Sequence, residues 1–238
     1  MKKFILGLMI LASPVWAEEV APSTAPIVVT IDTPVEHRVV ELRMYKVDAP
    51  AEARTKKRSK PLPLAISHGT CSGAFISPLG DILTAKHCVD EGVTIEVMTH
   101  DRRSYQAVLV ATSAVHDLAL LHIDRRNTPF FNLATDVSRG QKVFILGSPL
   151  AITDVLATGI VARIDGDSTM LDCSALPGNS GGPVFDEKLN LIGVITSVRI
   201  VMFGVTHLSA AQGLDAIAFF LDSTKAKRKW FDTIPEAK

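Results

Sequence analysis

Short apolar runs rich in Val, Ile, Thr and Phe, separated by turn-forming residues, fill the chain from about residue 61 to residue 205. That cadence predicts an all-β domain, because a half-buried strand alternates its side chains between core and solvent and ends where Gly, Pro, Asn, Asp or Ser turn the backbone. The predicted strands are 70–76, 82–84, 93–98, 105–111, 118–123, 142–146, 155–164, 169–173, 183–185, 191–198 and 202–205, with 77–81 as a turn. Two halves of five or six strands each suit a pair of antiparallel barrels. Only one stretch has helical spacing: Leu214, Ile217, Ala218 and Leu221 form an apolar stripe, preceded by Ser209 and Gln212 in capping-box spacing.

Outside this body the pattern changes. Residues 18–34 are rich in Ala and Pro and read as extended chain, with a short strand at 27–31. Residues 38–47 alternate loosely, as a strand with one wet face does, and Lys56, Lys57, Arg58 and Lys60 mark a solvated basic loop. The expected division is therefore a leader (1–17), an extended linker or pro-like segment (18–60), a folded domain (61–222) and a basic tail (223–238). The leader is the most specific of these: Lys2 and Lys3 precede an apolar run and then small residues ending at Ala17, the layout of a secretory signal peptide cut after Ala17. No other stretch is long and apolar enough to span a bilayer as a helix. The expected compartment is thus the periplasm or the exterior.

Charge adds an exclusion. Lys plus Arg equals Asp plus Glu at 25 each among 238 residues, so no net field points to nucleic acid. Three cysteines in an exported chain imply one disulfide and one thiol left over.

Candidate chemistry centres on Pro177-Gly178-Asn179-Ser180-Gly181-Gly182-Pro183, where glycines allow a sharp turn and close backbone approach around a serine. The segment resembles the nucleophile loop of the chymotrypsin-like serine proteases, and Asn179 in place of their aspartate resembles the HtrA-type and other bacterial members. Thr84-Ala85-Lys86-His87-Cys88 is similar to that family's histidine signature, with Lys86 replacing an alanine. Asp117-Leu118-Ala119-Leu120-Leu121 is similar to its aspartate segment, and the order His87, Asp117, Ser180 is that of the chymotrypsin group.

The resemblance covers roughly residues 62–222. It implies two six-stranded barrels with a C-terminal helix, and a polypeptide substrate cleaved by acyl transfer without cofactor or metal. Ser180 would be nucleophile, His87 the base and Asp117 its orienting acid, with the Gly178 and Ser180 amides as oxyanion hole. It also implies a Cys71–Cys88 bridge, leaving Cys173 as a small buried residue. Ser174, six residues before the nucleophile, would floor the primary pocket and disfavour Lys or Arg there. Thr196, Ser197, Val198 and His207 would line the walls, and His207 raises a Glu or Gln preference as runner-up. The chain length leaves no room for the C-terminal peptide-binding module of HtrA proteins. Asn179 cannot form the ion pair that activates digestive zymogens, so a chain starting near Pro61 is expected to be as active as the mature one. The competing readings are a non-catalytic binding module on the same scaffold and, for His68, Cys71, His87 and Cys88, a zinc site whose ligand spacing is uncommon.

Overall fold

The computed structural model describes residues 35–47, 65–89, 94–198 and 208–231. The leader, the segment 18–34, the basic run at 56–60, the strand expected at 202–205 and His207 lie outside them. The elements are β1 (Val39–Val47), β2 (Ala65–Phe75), β3 (Asp81–Thr84), β4 (Thr94–Thr99), β5 (Ser104–Gln106), β6 (Val108–Thr112), β7 (Ala119–His122), β8 (Asn132–Leu133), β9 (Lys142–Gly147), β10 (Val155–Asp165), β11 (Ser168–Asp172), β12 (Pro183–Phe185), β13 (Asn190–Val198), β14 (Leu208–Gly213) and a single α-helix, α1 (Leu214–Phe231).

The first half of the chain forms a sheet in the order β5-β4-β1-β2-β3-β7-β6. Its two edge strands are halves of one expected strand, broken at Ala107, whose amide still donates to Ile95 O at 2.9 Å. The first half pairs with β4 and the second with β7, so the half-barrel curls around through this one bent segment. Counted that way, it has the six strands expected. Inside it lie Leu42, Phe75, Ile82, Val97 and Leu121, all essentially inaccessible. The second half is a closed barrel. Its order β12-β9-β10-β11-β14-β13 returns to β12 through the β12–β13 ladder, with β8 added in parallel beside β13.

Three expectations are corrected. Ser209 and Gln212 do not cap the helix: they belong to β14, which alternates partly buried and buried positions and is sandwiched between β11 and β13. Pairing at the centre of a barrel outweighs a local capping signal that isolated sequence cannot rank against it. The helix begins at Leu214 and runs through the supposed tail to Phe231, and its buried face is Ala216, Ile217, Phe220 and Thr224, with Ala218 exposed.

The third correction concerns the linker. β1 sits between β2 and β4, with Val40 and Leu42 in the core. Burying such side chains contributes about 1.5–3 kcal/mol each, against a total stability of about 5–15 kcal/mol for a typical domain. A chain starting at Pro61, which lacks β1 and its two hydrogen-bonded ladders, is therefore expected to be insoluble or unfolded rather than active. Circular dichroism and activity of that truncation against a chain starting at Glu18 check this directly.

Candidate active site

Each chemical group is delivered by a local device. β3 ends at Thr84, and Lys86–Cys88 follow as a single 3-10 turn that presents the His87 side chain outward while Cys88 is buried. The Cys71–Cys88 bridge ties this turn to β2, with Cα atoms 6.2 Å apart. Closing 17 residues in this way contributes about 3 kcal/mol, mainly by restricting the unfolded chain. It also answers the zinc reading. Atoms of Cys71, His87 and Cys88 lie within 4.8 Å of one another, but the two sulfurs are bonded together and neither is a thiolate ligand.

Asp117 comes from the loop between β6 and β7. Ser113 organises that loop, accepting from the His116 amide at 3.0 Å and the Val115 amide at 3.3 Å while its own amide donates to Leu118 O. Lys86, the residue that departs from the family signature, donates from Nζ to Ser113 O at 2.9 Å and so braces the His87 turn against the Asp117 loop. Asp117 then receives two bonds from one residue: His87 Nδ1 lies 2.7 Å from Oδ2, and the His87 amide donates to Oδ1 at 2.9 Å.

Burial opposes ionisation of Asp117, but the His87 ring, the His87 amide and the Lys86 amide together hold its carboxyl below the usual range. Asp101 is gripped by both terminal nitrogens of Arg125 and by Thr99, which brings its carboxyl down to about 2. A depressed carboxyl stabilises the fold above its unfolded value, near 4, and loses that contribution as pH falls through the folded value. The urea midpoint is thus expected to decline between about pH 4 and pH 2, with Asp101→Asn showing a shallower decline over the same interval. A decline of unchanged slope in that variant would contradict the assignment.

The serine turn is defined by where its carbonyls go. Pro177 O accepts from the Leu150 amide at 2.8 Å, Gly178 O from Ser72 Oγ at 2.8 Å, Asn179 O from the Gly182 amide at 2.9 Å and Ser180 O from the Ser72 amide at 2.8 Å. In a trans peptide the N–H points opposite the C=O, so anchoring these carbonyls turns the Gly178 and Ser180 amides away from the anchors. Among the described residues no backbone carbonyl accepts from either amide. Two such donors on one turn are the arrangement that stabilises a developing oxyanion.

Two motif glycines are explained by the same packing. At Gly178 (φ +103°) a Cβ would sit 2.3 Å from Ser148 O, and at Gly181 (φ +80°) 2.1 Å from Thr84 Oγ1. The turn lies against the end of β3: the Ser180 carbonyl is 3.8 Å from Cys88 Sγ, and the Gly181 position abuts the Ala85 amide. Ser180 and Gly181 thus pack against Cys88 and Ala85, in the segment that carries His87.

A family model of the trypsin-like peptidase domain matches residues 71–194, more than half of the chain. The chain belongs to the trypsin-like peptidase family. Among its relatives is a probable periplasmic serine endoprotease, DegP-like, of Marinomonas sp., 34% identical over 168 residues that make up 66% of this chain and 36% of the relative. Another protein of that description, from Pseudomonas savastanoi pv. phaseolicola, is 31% identical over 168 residues, 66% of this chain and 35% of the relative. The chain therefore spans about a third of the length of those relatives. In three dimensions it is similar to a solved serine endoprotease from Yersinia pestis, with a TM-score of 0.66 at 23% identity over 80% of this chain and 63% of the other. That likeness agrees with the double-barrel fold.

Of the expected pocket residues, Ser174, Ser197 and Val198 lie at one end of the second barrel. β11 reaches Asp172 opposite Leu208, and β13 reaches Val198 opposite Ser209, which brings Ser174 just beyond the one and Ser197 just before the other to the same end of β14. Ser174 and Ser197 are exposed. Thr196 is half-buried and falls in a register shift of β13.

Cys173 is buried, and burial pushes its thiol up, against the opposing contact with Ser209. It is a core residue rather than a reactive one. His116 sits apart from the proposed triad, bonded to Asp167 at 2.9 Å with its ring edge on Phe219, and His122 pairs with Asp81. Among the described residues no helix is long and apolar enough to cross a membrane. Sequence reasoning passed over Ser72, Ser148 and Leu150, which hold the serine turn. Only the adjacency of Ser72 to Cys71 hinted at the first.

Proposed function

We propose that the chain is an exported serine endopeptidase that hydrolyses polypeptides through an acyl-enzyme. Ser180 Oγ attacks the peptide carbonyl, and His87 Nε2 takes its proton and returns it to the leaving amine. Asp117 holds the imidazole in the tautomer with its proton on Nδ1 and stabilises the imidazolium once formed. The amides of Gly178 and Ser180 receive the oxyanion. The observation that carries this reading is the doubly bonded His87–Asp117 pair, which engages Nδ1 as donor and so makes Nε2 the basic nitrogen. Export is supported by the leader-like N-terminus and by relatives named as periplasmic.

Ser174 at the pocket floor, with no carboxylate at that position, favours a small or apolar side chain before the scissile bond. Cleavage profiling on a peptide library is expected to give Ala, Val or similar residues there. A dominant Arg or Lys preference would overturn the pocket assignment, and a Glu or Gln preference would transfer it to His207.

A further inference from the structure

We propose that Ser72 is a positioning residue of the oxyanion turn, whose single hydroxyl sets both peptide planes flanking Gly178. The proposal rests on the peptidase reading above and adds a residue to its machinery.

Ser72 lies on β2, in the first barrel, and has no solvent exposure. Its Oγ donates to Gly178 O at 2.8 Å and accepts from the Ser148 amide at 2.9 Å, both partners being in the second barrel's half of the chain. A hydroxyl has one proton to give, and here it is given to Gly178. That bond fixes the plane on the C-terminal side of Gly178. The plane on the N-terminal side, which carries the Gly178 N–H itself, is fixed through Ser148. Two residues beyond Ser148, Leu150 adopts φ 53° and donates its amide to Pro177 O at 2.8 Å. A leucine held in the left-handed region needs its surroundings to keep it there. Anchoring Ser148 at the start of the 149–151 turn supplies one such hold.

The remaining groups of Ser72 complete the clamp. Its amide donates to Ser180 O at 2.8 Å, and its carbonyl accepts from Thr84 Oγ1 at 2.8 Å, at the end of the strand leading to His87. Its neighbour Cys71 is bridged to Cys88. Residues 71 and 72 thus hold the histidine turn and the oxyanion turn in a common register. The backbone bonds survive substitution at position 72, whereas the two hydroxyl bonds do not. The side chain's share of the work is therefore the aim of the Gly178 amide, which matters only when an oxyanion is present.

The test separates aim from stability. Ser72→Ala in the full chain is expected to lower kcat by about 10- to 100-fold with KM changed by less than about twofold. Affinity for a tetrahedral peptidyl boronic acid should fall by the same factor as kcat. Affinity for an uncleaved peptide, measured in the Ser180→Ala background, should not fall. The isosteric pair Ser72→Thr and Ser72→Val differs only in the hydroxyl and carries the test should the alanine variant unfold: Thr is expected to turn over at least about tenfold faster than Val. Equal kcat for that pair, or a boronate affinity untouched in Ser72→Ala, would overturn the role while leaving the peptidase reading intact. A wild-type chain that forms no adduct at Ser180 would instead overturn that reading and this role together.

Discussion

Ser180→Ala is expected to lower kcat on an unfolded polypeptide substrate by about 10⁵- to 10⁶-fold. The reasoning is structural as well as chemical. The turn is held by the carbonyls of residues 177–180 and by the glycines at 178 and 181, so losing Oγ removes the nucleophile and leaves the turn in place. Stability should be nearly unchanged. His87→Ala should cost about as much, and the double variant no more than either, because a nucleophile and its base act as one unit. Steady-state hydrolysis by matched preparations measures all three, and additive losses in the double variant would show that the two residues serve different steps.

The second large effect belongs to Asp117→Asn, with a loss of about 10⁴-fold in kcat. The carboxylate accepts from both the His87 ring and the His87 amide, using one oxygen for each. An amide has one acceptor oxygen and one donor nitrogen, so one of those contacts becomes donor against donor. The ring can relieve it only by moving its proton to Nε2, and it then cannot accept the proton of Ser180. These same bonds favour the ionised form of Asp117, so the variant removes a charge that the imidazolium would need. Comparing kcat with thermal midpoint in this variant distinguishes a wrong tautomer from a collapsed loop: kcat is expected to fall far more than stability does. A variant within tenfold of wild type would remove Asp117 from the mechanism.

Much of the candidate site is legible in the sequence as a proposal because its motifs are local. The residues around His87, Asp117 and Ser180 each sit in a short segment whose glycines, cysteine or apolar run carry their own physical reason. The strands were legible for the same cause, since alternation survives in any one strand read alone. What escaped reading is non-local. β14 contains a serine and a glutamine at capping spacing, and only its two ladder partners, β11 and β13, show that the segment is a strand. β1 is loosely patterned and stands apart from the main run of strands, yet its pairing with β2 and β4 makes it central. Ser72 looks like any small residue beside a cysteine until the second barrel brings Gly178 and Ser148 to its hydroxyl. The role of Lys86 is likewise invisible in its own segment, because its partner, Ser113 O, lies 27 positions away.

Activation of Ser180 as a nucleophile by His87 and Asp117 is tested most directly by covalent labelling. The wild-type chain is treated with a peptidyl phosphonate that reacts only with an activated serine, and the adduct is located by mass spectrometry of the digested protein. One adduct is expected, on Ser180, forming at a rate that falls sharply in His87→Ala and Asp117→Asn. An enzyme that cleaves polypeptide while Ser180 stays unlabelled, or one labelled at another residue, would contradict it.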